Sequence, residues 1–171
     1  MSTHRESDEL VINGDFIHAD LRGWEIMGAV GQYCYVREQK GVPLAVMLPA
    51  PITGDPNMAQ QIRIANGVYR LSFEHSAVDR EGQQAVGVEH VLAGSAFIQR
   101  AADFPYIIPI AGVASDWGLW EWTFEVDWLT VDAPLTLYFQ NIDHNPAASK
   151  QKINELRFGP IGLRHVSLRR N

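Results

Sequence analysis

The run LWEWTFEVDWL, Leu119 to Leu129, alternates without a break. Trp120, Trp122, Phe124, Val126 and Trp128 fall on one side, and Glu121, Thr123, Glu125 and Asp127 on the other. A period of two belongs to a β-strand with one face in a core and the other in water. The pattern recurs along the chain. VYRLSFEHS sets Tyr69, Leu71, Phe73 and His75 against Arg70, Ser72, Glu74 and Ser76. PLTLYFQN sets Leu135, Leu137 and Phe139 against Thr136, Tyr138 and Gln140, and QAVGVEHV places Val86, Val88 and His90 opposite Gly87 and Glu89. IGLRHVSL is a further strand-like run near the end. No segment keeps helical periodicity for three turns. Gly, Pro, Asn and Asp punctuate the runs, as in Gly54-Asp55-Pro56-Asn57 and Asp143-His144-Asn145-Pro146. Short strands separated by such turns predict an all-β, antiparallel two-sheet sandwich. Asn66-Gly67 predicts a hairpin joining MAQQIRI to VYRLSFEHS. The prolines in Ala101–Asp116 restrict that segment to an edge strand or a loop.

Length and composition bound the rest. The 171 residues predict a polar tail over 1–9 and a single domain over 10–171. The formal net charge is −6, and the only basic cluster is Arg164, Arg169 and Arg170, so nucleic acid is not the expected partner. Cys34, the only cysteine, excludes an internal disulfide and predicts a buried, inert thiol in QYCYV. The first nine residues lack the apolar core of a signal peptide, and no stretch is apolar enough for a membrane span. The expected location is the cytoplasm, or outside the cell by a non-classical route.

The opening, LVINGDFIHADLRGWEI, interleaves turn residues and single aromatics too tightly for a helix. Asn13-Gly14-Asp15-Phe16, then Gly23-Trp24, then Gln60, GVYRLSF, LTLYFQN and a final VSL follow one another in an order that resembles a carbohydrate-binding module of the galactose-binding-domain-like jelly-roll type. The resemblance spans about Leu10 to Leu168. It implies that Phe16, Trp24, Tyr69, Leu71, Phe73, Leu137 and Phe139 are core. It also implies a structural calcium between the opening turn and the last strand in many members. Here the positions that usually carry its carboxylates read Ile17 and Arg164-His165. The expectation is therefore no cofactor and no metal, with Asp15 or Asp20 pairing with Arg164 in the ion's place.

The resemblance implies glycan binding on the outer, concave face of one sheet or in loops at its edge. Strand parity nominates Arg70, Glu74, Glu89, Tyr138 and Gln140 for that face, with Tyr35 beside Tyr33 as an aromatic floor and Trp117 as an exposed stacking ring. Carboxylates and amides suit sugar hydroxyls, and aromatic rings suit the C–H face of a pyranose. The bland reading of the same residues is a solvated sheet with charge pairs such as Arg70 with Glu74 or Glu89. Trp120, Trp122 and Trp128 are expected in the core. The histidines form no metal-binding motif, and a catalytic pair would require Glu74 and Glu89 on neighbouring strands. The expected function is non-catalytic binding of an oligosaccharide or glycoconjugate. The alternative is a structural or interaction protein (virion, tail or secretion-associated) that uses the sandwich for protein contacts or homo-oligomerisation, through the tryptophan strand or Phe104–Ile110.

Overall fold

The computed structural model describes residues 9–29, 31–49, 56–85, 89–98, 106–113, 117–141 and 159–171. These residues form ten strands: β1 Glu25–Ile26, β2 Cys34–Gln39, β3 Val42–Met47, β4 Met58–Ile64, β5 Gly67–Ala77, β6 Glu89–Ile98, β7 Tyr106–Val113, β8 Gly118–Val126, β9 Ala133–Asn141 and β10 Ile161–Arg170. They build two five-stranded sheets, ordered β1-β4-β9-β6-β7 and β2-β3-β10-β5-β8. Every strand pairing is antiparallel. The chain switches sheets at most of its connections, which makes the sandwich a jelly roll.

The alternation read from the sequence sets which side chains fill the space between the sheets. Tyr69, Leu71 and Phe73 of β5 face Leu135, Leu137 and Phe139 of β9 in one apolar cluster, with Phe16 and Trp24 from the opening segment. Phe73 and Phe139 meet edge to face, ring centres 5.0 Å apart. Burying each such side chain contributes about 1.5–3 kcal/mol. Cys34 is buried in the same core, where loss of water pushes its thiol up to about 12.

Two local expectations change. Asn66-Gly67 does not close a hairpin: β4 and β5 belong to different sheets, so this turn is a corner between layers. The Asn66 amide fixes the corner by donating to the Leu129 carbonyl at 2.9 Å and accepting from the Leu129 N–H at 2.9 Å. Tyr69 Oη donates to the Ala65 carbonyl across the same bend. The tight two-residue hairpin lies instead at Lys40-Gly41, where both residues take positive φ, the type I′ geometry. Trp128 lies beyond the end of β8 and is 43% exposed, while Trp120 and Trp122 are half-buried at the edge of the sandwich. The proline-bearing β7 is an edge strand, paired only with β6. Val86, Val88 and the turn at 143–146 lie outside the described residues.

The opening segment is held by buried amides. Gln60, on the inner side of β4, accepts from the Ile12 N–H at 2.8 Å and donates to the carbonyls of Ile12 and Gly23. Asn13 donates to the carbonyls of Asp20 and Arg22, and Trp24 Nε1 donates to the Asn13 carbonyl. Gly14 touches the last strand: a Cβ there would sit 1.9 Å from the Val166 carbonyl oxygen. These contacts turn Phe16 into the core despite its positive φ, which costs roughly 1–2 kcal/mol and is offset by complete burial of the ring.

Candidate functional site

The seven nominated residues divide between the two outer faces. Tyr35, Arg70, Glu74 and Trp117 belong to the β2-β3-β10-β5-β8 side, while Tyr138 and Gln140 lie on β9 in the opposite sheet. Glu89 opens β6 in that second sheet, and its side chain lies outside what the structure describes. A single face bearing Arg70, Glu74, Tyr138 and Gln140 therefore does not exist. Parity along a strand says which residues are outward, but not which sheet the strand joins. The same topology removes Glu74 and Glu89 as a catalytic pair, because β5 and β6 are in different sheets.

On the first outer face the nominated groups are occupied. Leu44 and Val46 point outward on β3 yet are fully buried, because Tyr35, Leu48, Val78 and Trp117 pack over them. Trp117 is not an exposed ring. Its Nε1 donates to Gln39 Oε1 at 2.7 Å, and the Arg164 guanidinium lies 3.9 Å over its face. Tyr35 donates to the Arg80 carbonyl and carries Arg37 on its ring at 4.3 Å. Glu74 pairs with Arg164 at 3.4 Å and lies 3.4 Å from His165 Nε2. Arg70 pairs with Glu121, which neither cross-strand pairing read from the sequence named.

The second outer face is built differently. Outward positions are Ala59, Gln61 and Arg63 on β4, and Pro134, Thr136, Tyr138 and Gln140 on β9. Register sets Tyr138 between Ala59 and Ser95, and Gln140 beside Ala93, so small residues flank the tyrosine and the amide. Tyr138 is half-buried, Gln61 and Arg63 are exposed, and Gln140 is largely covered at 8% exposure. Beyond Ala59, a hollow of about 250 Å³ is lined by Glu25, Ile26, Met27 and Pro56. Gln61 and Arg63 were absent from the nominated set. Their signal was present in MAQQIRI, whose polar Gln61 and Arg63 alternate with buried Ile62 and Ile64.

The place between the opening turn and the last strand is a cleft of about 420 Å³ lined by Glu9, Asn13, Asp15, His165 and Arg169, among others. Several of its polar groups bond within the chain. Both oxygens of Glu9 are taken: Oε1 accepts from the N–H groups of Val11 and Leu168, and Oε2 from Ser167 Oγ and from Arg169 Nε at 3.3 Å. Ile17 is 68% exposed and offers no oxygen from its side chain. Asn13 Oδ1 is buried without a partner, and Asp15 accepts from the Ile17 N–H at 3.4 Å. Arg164 is turned away toward Trp117 and Glu74, and Asp20 pairs with Arg22 at 2.7 Å. Glu9, grouped with the tail by sequence, therefore ties the two ends where Asp15 or Asp20 with Arg164 was expected.

No protein-family model and no curated protein matches the sequence. Solved structures match the fold. The CBM22-1 xylan-binding domain from Paenibacillus barcinonensis Xyn10C has a TM-score of 0.60 at 13% identity, with 92% of this chain and 91% of that chain covered. A CBM61 module in complex with beta-1,4-galactotriose has 0.56 at 14%, covering 95% and 99%. A cyclase from Fischerella sp. TAU has 0.57 at 11%, covering 94% and 96%. The chain thus has the jelly-roll sandwich of carbohydrate-binding modules, a fold that the cyclase shares.

Proposed function

We propose that this chain is a non-catalytic carbohydrate-binding module whose glycan lies along the outer face of the β1-β4-β9-β6-β7 sheet. The observation that carries the reading is the contrast between the two outer faces. One is closed by its own small apolar cluster and ion pairs. The other presents a half-buried tyrosine between small residues, with Gln61 and Thr136 in the adjoining row. The tyrosine ring suits the C–H face of a sugar, and the amide and hydroxyl suit its OH groups. Neighbours of this fold named for xylan binding and solved with galactotriose support the choice of a glycan.

The interaction-protein alternative calls on the tryptophan strand and on Phe104–Ile110, and the side chains of the latter lie outside the described residues. Leu119 and Trp128, both exposed, are nine positions apart along β8 and its exit, about 30 Å in an extended chain. They do not form one apolar patch.

Titration of an oligosaccharide panel by calorimetry tests the proposal. A shallow wet surface predicts millimolar to micromolar dissociation constants, about −4 to −8 kcal/mol. The glycan is recovered unchanged, and Tyr138→Ala weakens binding at least tenfold in a variant that still unfolds cooperatively. Absence of binding by every glycan, or undiminished binding by Tyr138→Ala, would overturn it.

A further inference from the structure

Arg63 stands apart from the other strand arginines. Arg37 lies on Tyr35, Arg70 pairs with Glu121, Arg164 with Glu74 and Arg169 with Glu9, and Arg170 donates to the Asn66 carbonyl. Among the described residues, Arg63 has no ion pair, hydrogen bond or ring contact. It is exposed, outward on β4, and opposite Pro134. The strip it belongs to carries no carboxylate: Ala59, Gln61, Arg63, Pro134, Thr136, Tyr138 and Gln140 fill every outward position of β4 and β9. That is unexpected in a chain with 20 acidic residues against 14 basic ones. Among the described residues, the acids next to this strip in register are Glu25, across from Ala59, and Asp132, just before β9. Neither faces Arg63 in the register.

An unpaired guanidinium in an acid-free strip is complementary to an anionic ligand, and its planar fork matches a carboxylate. Resting on the glycan-binding reading above, we propose that this face selects acidic oligosaccharides, with Arg63 binding the carboxylate of a uronic acid. Ala59 lies opposite Tyr138, and Arg63 is four residues further along β4, about 13 Å away. The ligand is therefore an oligosaccharide, with one sugar on Tyr138 and the uronate several units along. Gln61 and Thr136, paired in register between these two points, meet the intervening hydroxyls.

The experiment compares uronic-acid oligosaccharides of several backbones (galacturonate, glucuronate, mannuronate) as free acids and as methyl esters, by calorimetry at low salt. Esterification removes the charge and keeps the sugar. At least one free acid should bind about fivefold more tightly than its ester, the size expected of one exposed ion pair. Arg63→Gln should abolish that difference without changing the melting temperature, and added salt should shrink it. If no free acid binds better than its ester, or if the preference survives Arg63→Gln, the inference is overturned. Neutral glycans that bind through Tyr138 with no acid preference would overturn this inference alone. No binding by any glycan would overturn the glycan reading as well.

Discussion

Gln60 is a single side chain on which the entry of the chain depends. It is buried, and its amide serves the Ile12 N–H and the carbonyls of Ile12 and Gly23 at once. Gln60→Ala removes all three bonds and leaves backbone groups of the opening turn unpaired. Stability in urea should fall by about 2–4 kcal/mol, with Gln60→Glu no substitute because the carboxylate cannot donate to the two carbonyls. His75 gives a second test. It is buried on the inner side of β5, opposite Gly118, and loss of water holds its pKa below the ordinary imidazole value. Below about pH 6.5 the unfolded chain binds a proton that the folded chain resists, so stability falls as pH drops from 6.5 toward the depressed folded value. His75→Gln should flatten the dependence in that window, as read by denaturant midpoints at pH 7.5 and 5.5. These residues were legible to different degrees. Gln60 was recognised by its place in the pattern, but its partners lie 48 and 37 positions away and no local rule names them.

The elements show where strand periodicity stops being informative. β5, β8 and β9 were read with their inward and outward residues in place, because burial on one face imposes a period of two whatever sheet the strand joins. Partner choice leaves no such mark, so Asn66-Gly67 reads as a hairpin although it is a corner. The corner makes its own prediction: Asn66→Ala loses both bonds to Leu129 and should lower stability by about 1–2 kcal/mol. The first described residue is the other element-level surprise. Glu9 bridges to β10 at Arg169 and gathers Ser167 and the Leu168 N–H, which ties the start of the domain to its last strand. If this tie takes the place of the calcium expected from the resemblance, chelator should leave the melting temperature unchanged and calcium should not raise it. Glu9→Ala should lower it by several degrees, and a rise with added calcium in the wild type would contradict the replacement.

In the whole molecule, two sheets give two outer faces, and the central question is which one meets a ligand. The sequence showed that Tyr138, Gln140, Arg70 and Glu74 point outward but not that they point in opposite directions, since the sheet order depends on pairings between distant segments. With the order β2-β3-β10-β5-β8 in place, Tyr35 and Trp117 become part of a cover over Leu44 and Val46, while Tyr138 stands half-buried on the outer side of the other sheet. The most direct measurement is a map of backbone amide chemical shifts during titration with the best-binding glycan. A glycan on the β4-β9 face predicts changes concentrated at Ala59, Gln61, Arg63, Thr136 and Tyr138, with Tyr35, Arg70, Glu74 and Arg164 unmoved. Changes centred on β2, β10 and β5 instead, or none on either face at millimolar glycan, would contradict it.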